Sequence, residues 1–287
     1  YLVELKPTKI KKSSLQLRIK GIDLSDINAV LKKMSIYRDV LPVSWLFKGG
    51  SAQARQIFSA FLRHRFEKYV DNRNQPQTDD VSHMSKYLHF GQISPLYLAL
   101  KVQDTHKRLK EAREAFIEEL VVRRELAMNF VFYTPQYDSF QCLPDWAQKT
   151  LNAHQKDERE HAYTRQQLEN AKTHDDYWNA AMREMKATGF MHNYMRMYWG
   201  KKILEWSRTP QQAFDTTLAL NNKYFLDGRD PNSYTGVAWI YGLHDRAWFE
   251  REIFGKVRYM AASGLERKCD IQAYVKKVDS LVKKVRQ

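Results

Sequence analysis

Cysteine, glycine and proline are scarce in this chain of 287 residues, and each scarcity excludes a class of structure. The two cysteines, Cys142 and Cys269, are too few for a disulfide framework or a cysteine-based metal site. We therefore expect no metal and a reducing compartment. The 11 glycines and 8 prolines leave few tight turns, which favours a mainly helical fold.

Long hydrophobic runs are also missing, because no stretch of about 18 apolar residues occurs. We therefore expect no membrane-spanning segment and no membrane partner. No secretory leader is visible, which predicts an intracellular protein of the cytoplasm or nucleus. The first residue is Tyr1 rather than Met, which indicates a fragment of a longer protein.

Acidic residues are outnumbered by basic ones. The 33 Asp and Glu residues stand against 47 Lys and Arg residues, giving a formal net charge of +14. This balance favours a polyanionic partner, most simply a nucleic acid. A basic protein without a nucleic-acid role remains the alternative. Because 43% of the residues are hydrophobic and 13% are aromatic, the chain can bury a sizeable core.

Apolar spacing predicts an all-α fold, with an interdomain linker over residues 1–45 and one helical domain over residues 46–287. Gly49 and Gly50 before Ser51 indicate a boundary with an N-cap. Helical periodicity is expected in these stretches: residues 27–34, 51–70, from about 94, about 107–132, and 176–206 with an interruption near Gly189. The charged stretch 157–172 is expected to form a solvated helix together with its connection.

Residues 221–260 lack clear periodicity and combine polar groups with tryptophan and tyrosine. A long irregular segment of this kind is usually functional or disordered, and its aromatic content argues against disorder. The pattern favours a loop that holds a polar ligand or a nucleobase against ring faces. A packed connection with surface charge is the other interpretation.

The stretch 190–206 is apolar on nearly every side over its first ten residues, which predicts a buried helix. It nevertheless carries His192, Asn193 and Arg196. A buried guanidinium requires an anionic partner or a ligand, and Asp227 is the candidate partner. An ion pair without any role in chemistry remains open.

Trp199 and Trp206 lie seven residues apart and therefore share one face of this helix, while Trp178 precedes them on a neighbouring segment. Three tryptophans so close in sequence are normally core packing. The alternative is a series of rings that passes electrons to a redox cofactor.

Glu119 lies in an apolar helix face, one turn before Arg123. An intrahelical salt bridge is the simplest interpretation. A desolvated carboxyl with a raised pKa that lines a ligand pocket is the functional one. Ser82 and Ser85 suit helix capping or, equally, contact with a phosphate.

Five strings occur in one order across residues 46–275: SKYLHFGQIS (85–94), EELVVRREL (118–126), MHNYMRMYWGKKILEW (191–206), LDGRDPNSYTG (226–236) and GKVRYM (255–260). Together they resemble the class II cyclobutane pyrimidine dimer photolyases of the photolyase/cryptochrome family. This resemblance implies an N-terminal α/β domain followed by an all-helical FAD-binding domain. The first domain has no counterpart in this chain, so an antenna chromophore is not inferable.

The resemblance also implies roles for individual residues. Trp199, Trp178 and Trp206 would be the proximal, middle and distal members of a photoreduction chain. Glu119 would bond the flipped pyrimidine dimer, and Asn221 would face flavin N5. The implied FAD contacts are Tyr69, Val81, Ser82, His83, Met84, Ser85, Glu119, Arg123, Arg196, Asn221, Asp227 and Asp230. The implied contacts with the dimer or with DNA are Arg73, Asn74, Met197, Trp239, Arg246, Lys256 and Arg258.

The implied activity is light-driven repair of pyrimidine dimers in UV-damaged DNA by a monomer that carries reduced FAD. A cryptochrome-like blue-light sensor without repair activity is the alternative, and a simple basic DNA-binding module is a third possibility. The joint presence of Glu119, Asn74, Met197 and Trp239 favours the enzyme, because a sensor needs no dimer pocket.

Overall fold

The chain is seen here in a computed structural model, which describes residues 21–105 and 108–285 except residues 24 and 37. The first 20 residues of the predicted linker lie outside the described residues. Within these ranges the fold is helical, as predicted, with no strand and one isolated antiparallel bridge between Arg251 and Gly255. No helix in the described part of the chain is long and apolar enough to cross a membrane.

Fifteen α-helices follow one another through the described residues: α1 (Ile27–Lys33), α2 (Ser51–His64), α3 (Tyr69–Asn72), α4 (Ser85–His89), α5 (Pro95–Thr105), α6 (Lys110–Ile117), α7 (Arg124–Tyr133), α8 (Asp145–Ala153), α9 (Arg165–Glu169), α10 (Asp176–Thr188), α11 (Asn193–Trp206), α12 (Pro210–Tyr224), α13 (Pro231–Ile240), α14 (Ala262–Lys268) and α15 (Ile271–Val285). Short 3-10 turns lie at Phe66–Lys68 and Phe140–Cys142. A π-helical turn, Glu118–Arg123, joins α6 to α7.

Two apolar clusters organise these helices. The first cluster consists of the buried apolar residues between Ala54 and Leu120, contributed by α2 to α6 and the π-helical turn. The second cluster is larger and consists of the buried apolar residues between Phe130 and Val278.

Gly189 ends α10 and directs the chain into α11. Its φ of 66° is a left-handed conformation that glycine adopts without steric cost. A Cβ at this position would lie 2.6 Å from Cγ of Leu226, so the close approach also requires glycine. The Leu226 amide donates to the Gly189 carbonyl at 2.9 Å, which joins this turn to the segment after α12.

Helix α11 is buried as predicted, with Met195, Tyr198 and Trp199 among its buried residues. Asn193 is an exception, since it is exposed at the first position of the helix. The predicted partner of Arg196 is correct, because its guanidinium lies 2.9 Å from the Asp227 carboxylate.

The prediction of an irregular segment over residues 221–260 is wrong in its first half. Its first four residues complete α12, and Pro231–Ile240 form α13. The Asp230 side chain caps α13 by accepting from the Asn232 amide at 2.9 Å, and Pro231 occupies the first turn. This Asp-Pro pair was a helix-start signal. Irregular backbone remains in the connection 225–230 and in residues 241–261, apart from the Arg251–Gly255 bridge.

For two other predicted stretches the structure gives the exact bounds of the helix. Only Arg165–Glu169 of the stretch 157–172 is helical, because Arg159 instead donates to the carbonyls of Asp157 and Ser207 and holds the preceding residues in an irregular path. The N-cap of α2 is Gly50, with no side-chain capping bond, and Ser51 is already the first helical residue.

The predicted linker contacts the helical domain within its described part. Helix α1 has no buried residue, and the helix predicted over residues 27–34 ends one residue earlier. Val40 packs against the second cluster, and the Trp45 indole donates to the Ala187 carbonyl at 3.3 Å.

The contact between α11 and α13 requires glycine at position 200. A Cβ there would lie 2.3 Å from Cδ1 of Ile240, whereas a Cβ at Gly264 in α14 would meet nothing within 4 Å. We expect Gly200→Ala to lower the free energy of unfolding by about 1–3 kcal/mol through overpacking. Gly264→Ala should raise it by up to about 1 kcal/mol through helix propensity. Urea denaturation measures both, and equal effects of the two variants would contradict this packing.

Candidate functional site

A cavity of about 420 Å³ lies between the two apolar clusters. This volume falls in the range of pockets that bind cofactors and small molecules. One wall is formed by α3, the connection 73–84, α4 and the π-helical turn. The opposite wall is formed by α11, α12 and α13, together with the residues just before α11 and α13.

Most of the residues implied by the resemblance line this one cavity, although they are far apart in sequence. The structure brings together Tyr69, Arg73, Asn74, Val81, Ser82, His83, Met84, Ser85, Glu119, Arg196, Met197, Trp199, Asn221, Asp227 and Asp230. It leaves seven others out of the lining: Arg123, Trp178, Trp206, Trp239, Arg246, Lys256 and Arg258.

The Arg196–Asp227 ion pair lies in the wall of the cavity. The guanidinium contacts both carboxylate oxygens at 2.9 and 3.2 Å, donates to the Met191 carbonyl at 3.1 Å and lies 3.8 Å above the Phe225 ring. Burial by itself raises the pKa of Asp227, but the Arg196 charge and a hydrogen bond from Ser85 outweigh it and lower that pKa. Both groups are therefore charged, which places a fixed dipole beside the ligand space.

Asn221 presents a neutral amide to the same cavity. The residue is buried, and its side-chain nitrogen donates to Asn222 Oδ1 at 2.9 Å and to the Ser233 hydroxyl. The bond to Ser233 joins the end of α12 to the start of α13, and the two bonds together hold the amide in one orientation. A neutral amide of this kind can meet either a donor or an acceptor on a ligand.

Three buried polar atoms in the lining have no hydrogen-bond partner: His83 Nδ1, His192 Nε2 and Trp199 Nε1. His192 Nδ1 accepts from the Tyr194 amide at 3.2 Å, so in the neutral ring Nε2 carries the proton and is a donor. His83 Nε2 bonds the Asp79 carboxylate at 2.7 Å, which leaves Nδ1 as an acceptor. Unpartnered buried polar atoms are rare, and a ligand with polar edges would satisfy them.

Burial keeps both histidines neutral near pH 7. Desolvation lowers the pKa of His192 to about 4. It also lowers the pKa of His83, although the hydrogen bond from that ring to Asp79 opposes the shift. Lys86 lies behind His83 and is buried as well. Its ammonium donates to the His83 carbonyl at 3.1 Å, and desolvation lowers the pKa of Lys86 to about 7.

The π-helical turn changes the predicted environment of Glu119. The expected salt bridge with Arg123 is absent, because residues five apart face each other in a π-helix, rather than residues four apart. Arg123 pairs with Glu118 at 3.2 Å instead. Glu119 pairs with Arg73 at 3.0 Å, and its side chain is half exposed rather than desolvated.

The same turn brings Arg124 into the cavity lining in place of the predicted Arg123. Arg124 was missed because a regular helix would align Glu119 with residue 123, whereas the π-helical turn aligns it with residue 124. No signal for a π-helical turn is recognisable in the sequence. The nearest carboxylate to the Arg124 guanidinium, that of Glu125, is 3.9 Å away, so Arg124 has no close anionic partner among the described residues.

Trp239, which the resemblance implies as a contact with the dimer or with DNA, does not line the cavity. It lies on α13 next to the lining residues Val237 and Ile240, and its ring meets the His244 ring at 5.5 Å. The Arg123 guanidinium lies 5.6 Å from the centre of the Trp239 ring. Because residues one or two positions apart do not face each other on a helix, Trp239 points along a different face of α13 from the lining residues Ile240 and Val237.

The three tryptophans form a buried series that starts at the cavity. Trp199 lines it, and the Trp178 indole donates to the Trp199 carbonyl at 2.9 Å. The Trp178 and Trp206 rings are 5.5 Å apart in an edge-to-face arrangement. Trp178 therefore contacts both the Trp199 backbone and the Trp206 ring. All three are also core residues, so packing and electron transfer are compatible roles.

Arg246, Lys256 and Arg258 lie together on the surface around Trp248, away from the cavity lining. The guanidiniums of Arg246 and Arg258 are 5.5 and 5.1 Å from the Trp248 ring. The Trp248 amide donates to the Lys256 carbonyl at 2.8 Å, which closes the loop and brings the three basic side chains together. We call residues 246–258 the basic loop.

No protein-family model matches the chain. Similar curated proteins do exist. The chain is 51% identical over 284 residues to the deoxyribodipyrimidine photo-lyase of Methanothermobacter thermautotrophicus, which covers 98% of this chain and 61% of that protein. It is 47% identical to that of Oryza sativa subsp. japonica, over 89% of this chain and 52% of that protein. It is 42% identical to the deoxyribodipyrimidine photo-lyase of Potorous tridactylus, over 97% of this chain and 52% of that protein.

The chain therefore spans between 52% and 61% of the length of these relatives. Among solved structures, a bacterial class III photolyase from Agrobacterium tumefaciens shares the fold with a TM-score of 0.60 and 17% identity, over 85% of this chain and 46% of that one. A Synechocystis sp. PCC6803 cryptochrome also shares the fold, with a TM-score of 0.55 and 18% identity, over 84% of this chain and 45% of that one. The identity to three photo-lyases, with the helical fold shared with a photolyase and a cryptochrome, supports membership of this chain in the photolyase/cryptochrome family.

Proposed function

We propose that this chain is the FAD-binding helical part of a class II deoxyribodipyrimidine photo-lyase, preceded by a linker over residues 1–45. Its proposed activity is light-driven repair of cyclobutane pyrimidine dimers in UV-damaged DNA. The observation that carries this proposal is the single cavity between the two clusters. It unites the Arg196–Asp227 pair, the oriented Asn221 amide and the Arg73–Glu119 pair.

The lining fits FAD in its chemistry, because it combines unpartnered donors and acceptors with apolar and charged groups. In this proposal Tyr69 and the stretch Val81–Ser85 hold the phosphates and the sugar, and Asp230 is a further contact with FAD. Asn221 orients the isoalloxazine edge through its amide. When bound, reduced FAD supplies the light-excited electron on which the chemistry depends. The chain contributes position, exclusion of water and the fixed charges of Arg196 and Asp227.

Glu119 and Arg73 are suited to meet a substrate that enters from solvent. Their ion pair is partly exposed, so breaking it costs little, on the order of 0–1 kcal/mol. A Glu119 carboxyl freed from Arg73 can bond a pyrimidine carbonyl, and Asn74 and Met197 line the same space. Trp239 and Arg123 lie just outside the lining, so we assign them to the flanking surface that receives neighbouring DNA rather than to a wall against the dimer.

The basic loop supplies the surface for the DNA backbone in this proposal. Arg246, Lys256 and Arg258 are exposed, and the net charge of +14 adds a general attraction for phosphates. The bound lesion must leave the base stack to reach the cavity, because photolyases in general act on a base that is flipped out of the duplex. A blue-light sensor of the cryptochrome type is the second candidate, and the cavity-lining Glu119 and Asn74 favour repair.

Trp199→Phe should block photoreduction of oxidised FAD while repair by chemically pre-reduced protein is largely retained. Trp199 links the cavity to Trp178, and phenylalanine keeps most of the packing volume. Absorbance under blue light with an external reductant measures the first effect. Trp45→Phe is the control, since Trp45 is partly exposed and outside the series. Normal photoreduction in Trp199→Phe would refute the electron-transfer role.

Glu119→Ala should keep FAD and most DNA affinity but lower the quantum yield of dimer repair several-fold. Loss of one hydrogen bond that strengthens as the dimer gains an electron corresponds to about 1 kcal/mol. The matched control is Glu118→Ala, because Glu118 pairs with Arg123 and does not line the cavity. An unchanged yield in Glu119→Ala, or an equal loss in both variants, would remove Glu119 from the active site.

Lys256→Ala should weaken binding to damaged and undamaged duplex by similar factors. It should also reduce the slope of log affinity against log salt by roughly one unit, because one phosphate contact is lost. Lys172→Ala, an exposed lysine outside the basic loop, is the control and should leave the slope unchanged. Titrations at several salt concentrations measure both. A loss restricted to damaged DNA would instead assign Lys256 to recognition of the lesion.

A further inference from the structure

We propose that Lys277 of the C-terminal helix α15 is a positioning residue that sets the distance between the two walls of the cavity. The inference rests on the proposed function only in naming FAD as the ligand that this wall holds. The element that Lys277 controls is the connection 73–84, which contributes Arg73, Asn74 and the stretch Val81–Met84 to the lining without forming regular structure.

The apex of this connection is bonded to the C-terminal part of the chain. The Lys277 ammonium donates to the carbonyls of Pro76 at 2.9 Å and Thr78 at 2.7 Å. The Gln75 side chain donates to the Lys268 carbonyl at 3.2 Å. Bonds from a charged donor are stronger than neutral ones, so Lys277 is the main anchor of the apex.

These bonds cross between the two apolar clusters. Tyr69, before the connection, and Met84, at its end, belong to the first cluster. Tyr274 and Val278 of α15 belong to the second cluster. The cavity lies between the clusters, and the contact of His89 Nδ1 with Asp230 Oδ2 at 3.3 Å is another polar link between its two walls. A bond that joins them at one end therefore constrains the width of the space for the ligand.

Helix α15 is itself firmly attached, which gives Lys277 a rigid base. The Tyr274 hydroxyl donates to the buried Glu184 carboxylate of α10 at 2.7 Å, and Arg183 of α10 pairs with Asp279 at 3.1 Å. Helix α10 packs in turn against α11, which carries Arg196 and Trp199 into the opposite wall. The path from Lys277 to both walls is thus continuous through packed helices.

The Lys277 charge also acts on the groups around the cavity. It opposes the burial that raises the pKa of Glu184, and it adds to the burial that lowers the pKa of His192. It lies close enough to Asp79 to favour the charged form of that carboxylate, whose bond to His83 shapes the lining. Removing the charge should therefore loosen the connection and relax these neighbours together.

The test compares Lys277→Met with Lys276→Met, its exposed neighbour on the same helix, and with the conservative Lys277→Arg. Amide hydrogen exchange, measured in the protein without ligand, reports directly how stable the hydrogen bonds of the connection are. The amides of Gln75 and Thr78 donate within it, to the carbonyls of Asn72 at 2.8 Å and Gln75 at 3.1 Å. We expect their exchange to accelerate on the order of tenfold in Lys277→Met, with α10 and α15 unchanged. Lys276→Met should match the unaltered chain, and Lys277→Arg should restore most of the protection.

FAD titration of the same variants gives the second readout. The dissociation constant should rise about tenfold in Lys277→Met, because the connection must then be ordered on binding. Gln75→Ala, which removes the weaker bond, should shift both readouts in the same direction by less. Unchanged exchange at Gln75 and Thr78, or acceleration spread over α10 and α15, would overturn the positioning role. Absence of FAD binding by the unaltered chain would instead refute the proposed function, while the exchange result would still decide the role of Lys277.

Discussion

The Asp227 carboxylate is the group on which the arrangement of the cavity depends. It accepts from Arg196 on one side and from the Ser85 hydroxyl on the other, so a single buried charge is shared by α11 and α4. Removing Arg196 would leave an uncompensated charge next to apolar residues, which is costly. The two walls belong to different apolar clusters, and this carboxylate helps to fix one relative to the other. Packing within each cluster alone would leave their separation undetermined.

The helix from Lys110 to Tyr133 shows how a local irregularity changes the chemistry of a site. Its π-helical turn has more residues per turn than an α-helix, so it rotates the side chains of the residues that follow it. Glu119 and Arg124 therefore share the cavity, while Glu118 and Arg123 form a pair beside it. A straight α-helix would have joined Glu119 to Arg123 in a surface salt bridge. Such turns are common at functional sites, and here one separates a cavity carboxylate from a structural ion pair.

The three buried tryptophans can be explained either by packing or by a function at the cavity. Trp178, Trp199 and Trp206 are core residues of the second cluster, which fully explains their burial. Packing does not explain why Trp199 lines the cavity with its indole nitrogen unpartnered. The two roles are compatible, because rings that pack edge to face are also close enough to exchange electrons. A buried aromatic series next to a ligand cavity thus requires a functional test rather than a choice between the two roles.

The sequence by itself determined the helical class, the burial of α11 and the Arg196–Asp227 pair. The first two follow from apolar periodicity, a property of local composition, and the pair was expected because an unpaired buried charge is costly. Only the tertiary structure decided that Glu119 pairs with Arg73, that Arg124 replaces Arg123 in the lining and that Lys277 holds the connection 73–84. Lys277 and Pro76 are 201 residues apart, and a π-helical turn changes which residues face each other. Contacts of this kind depend on how separate helices pack, and no local pattern records that packing.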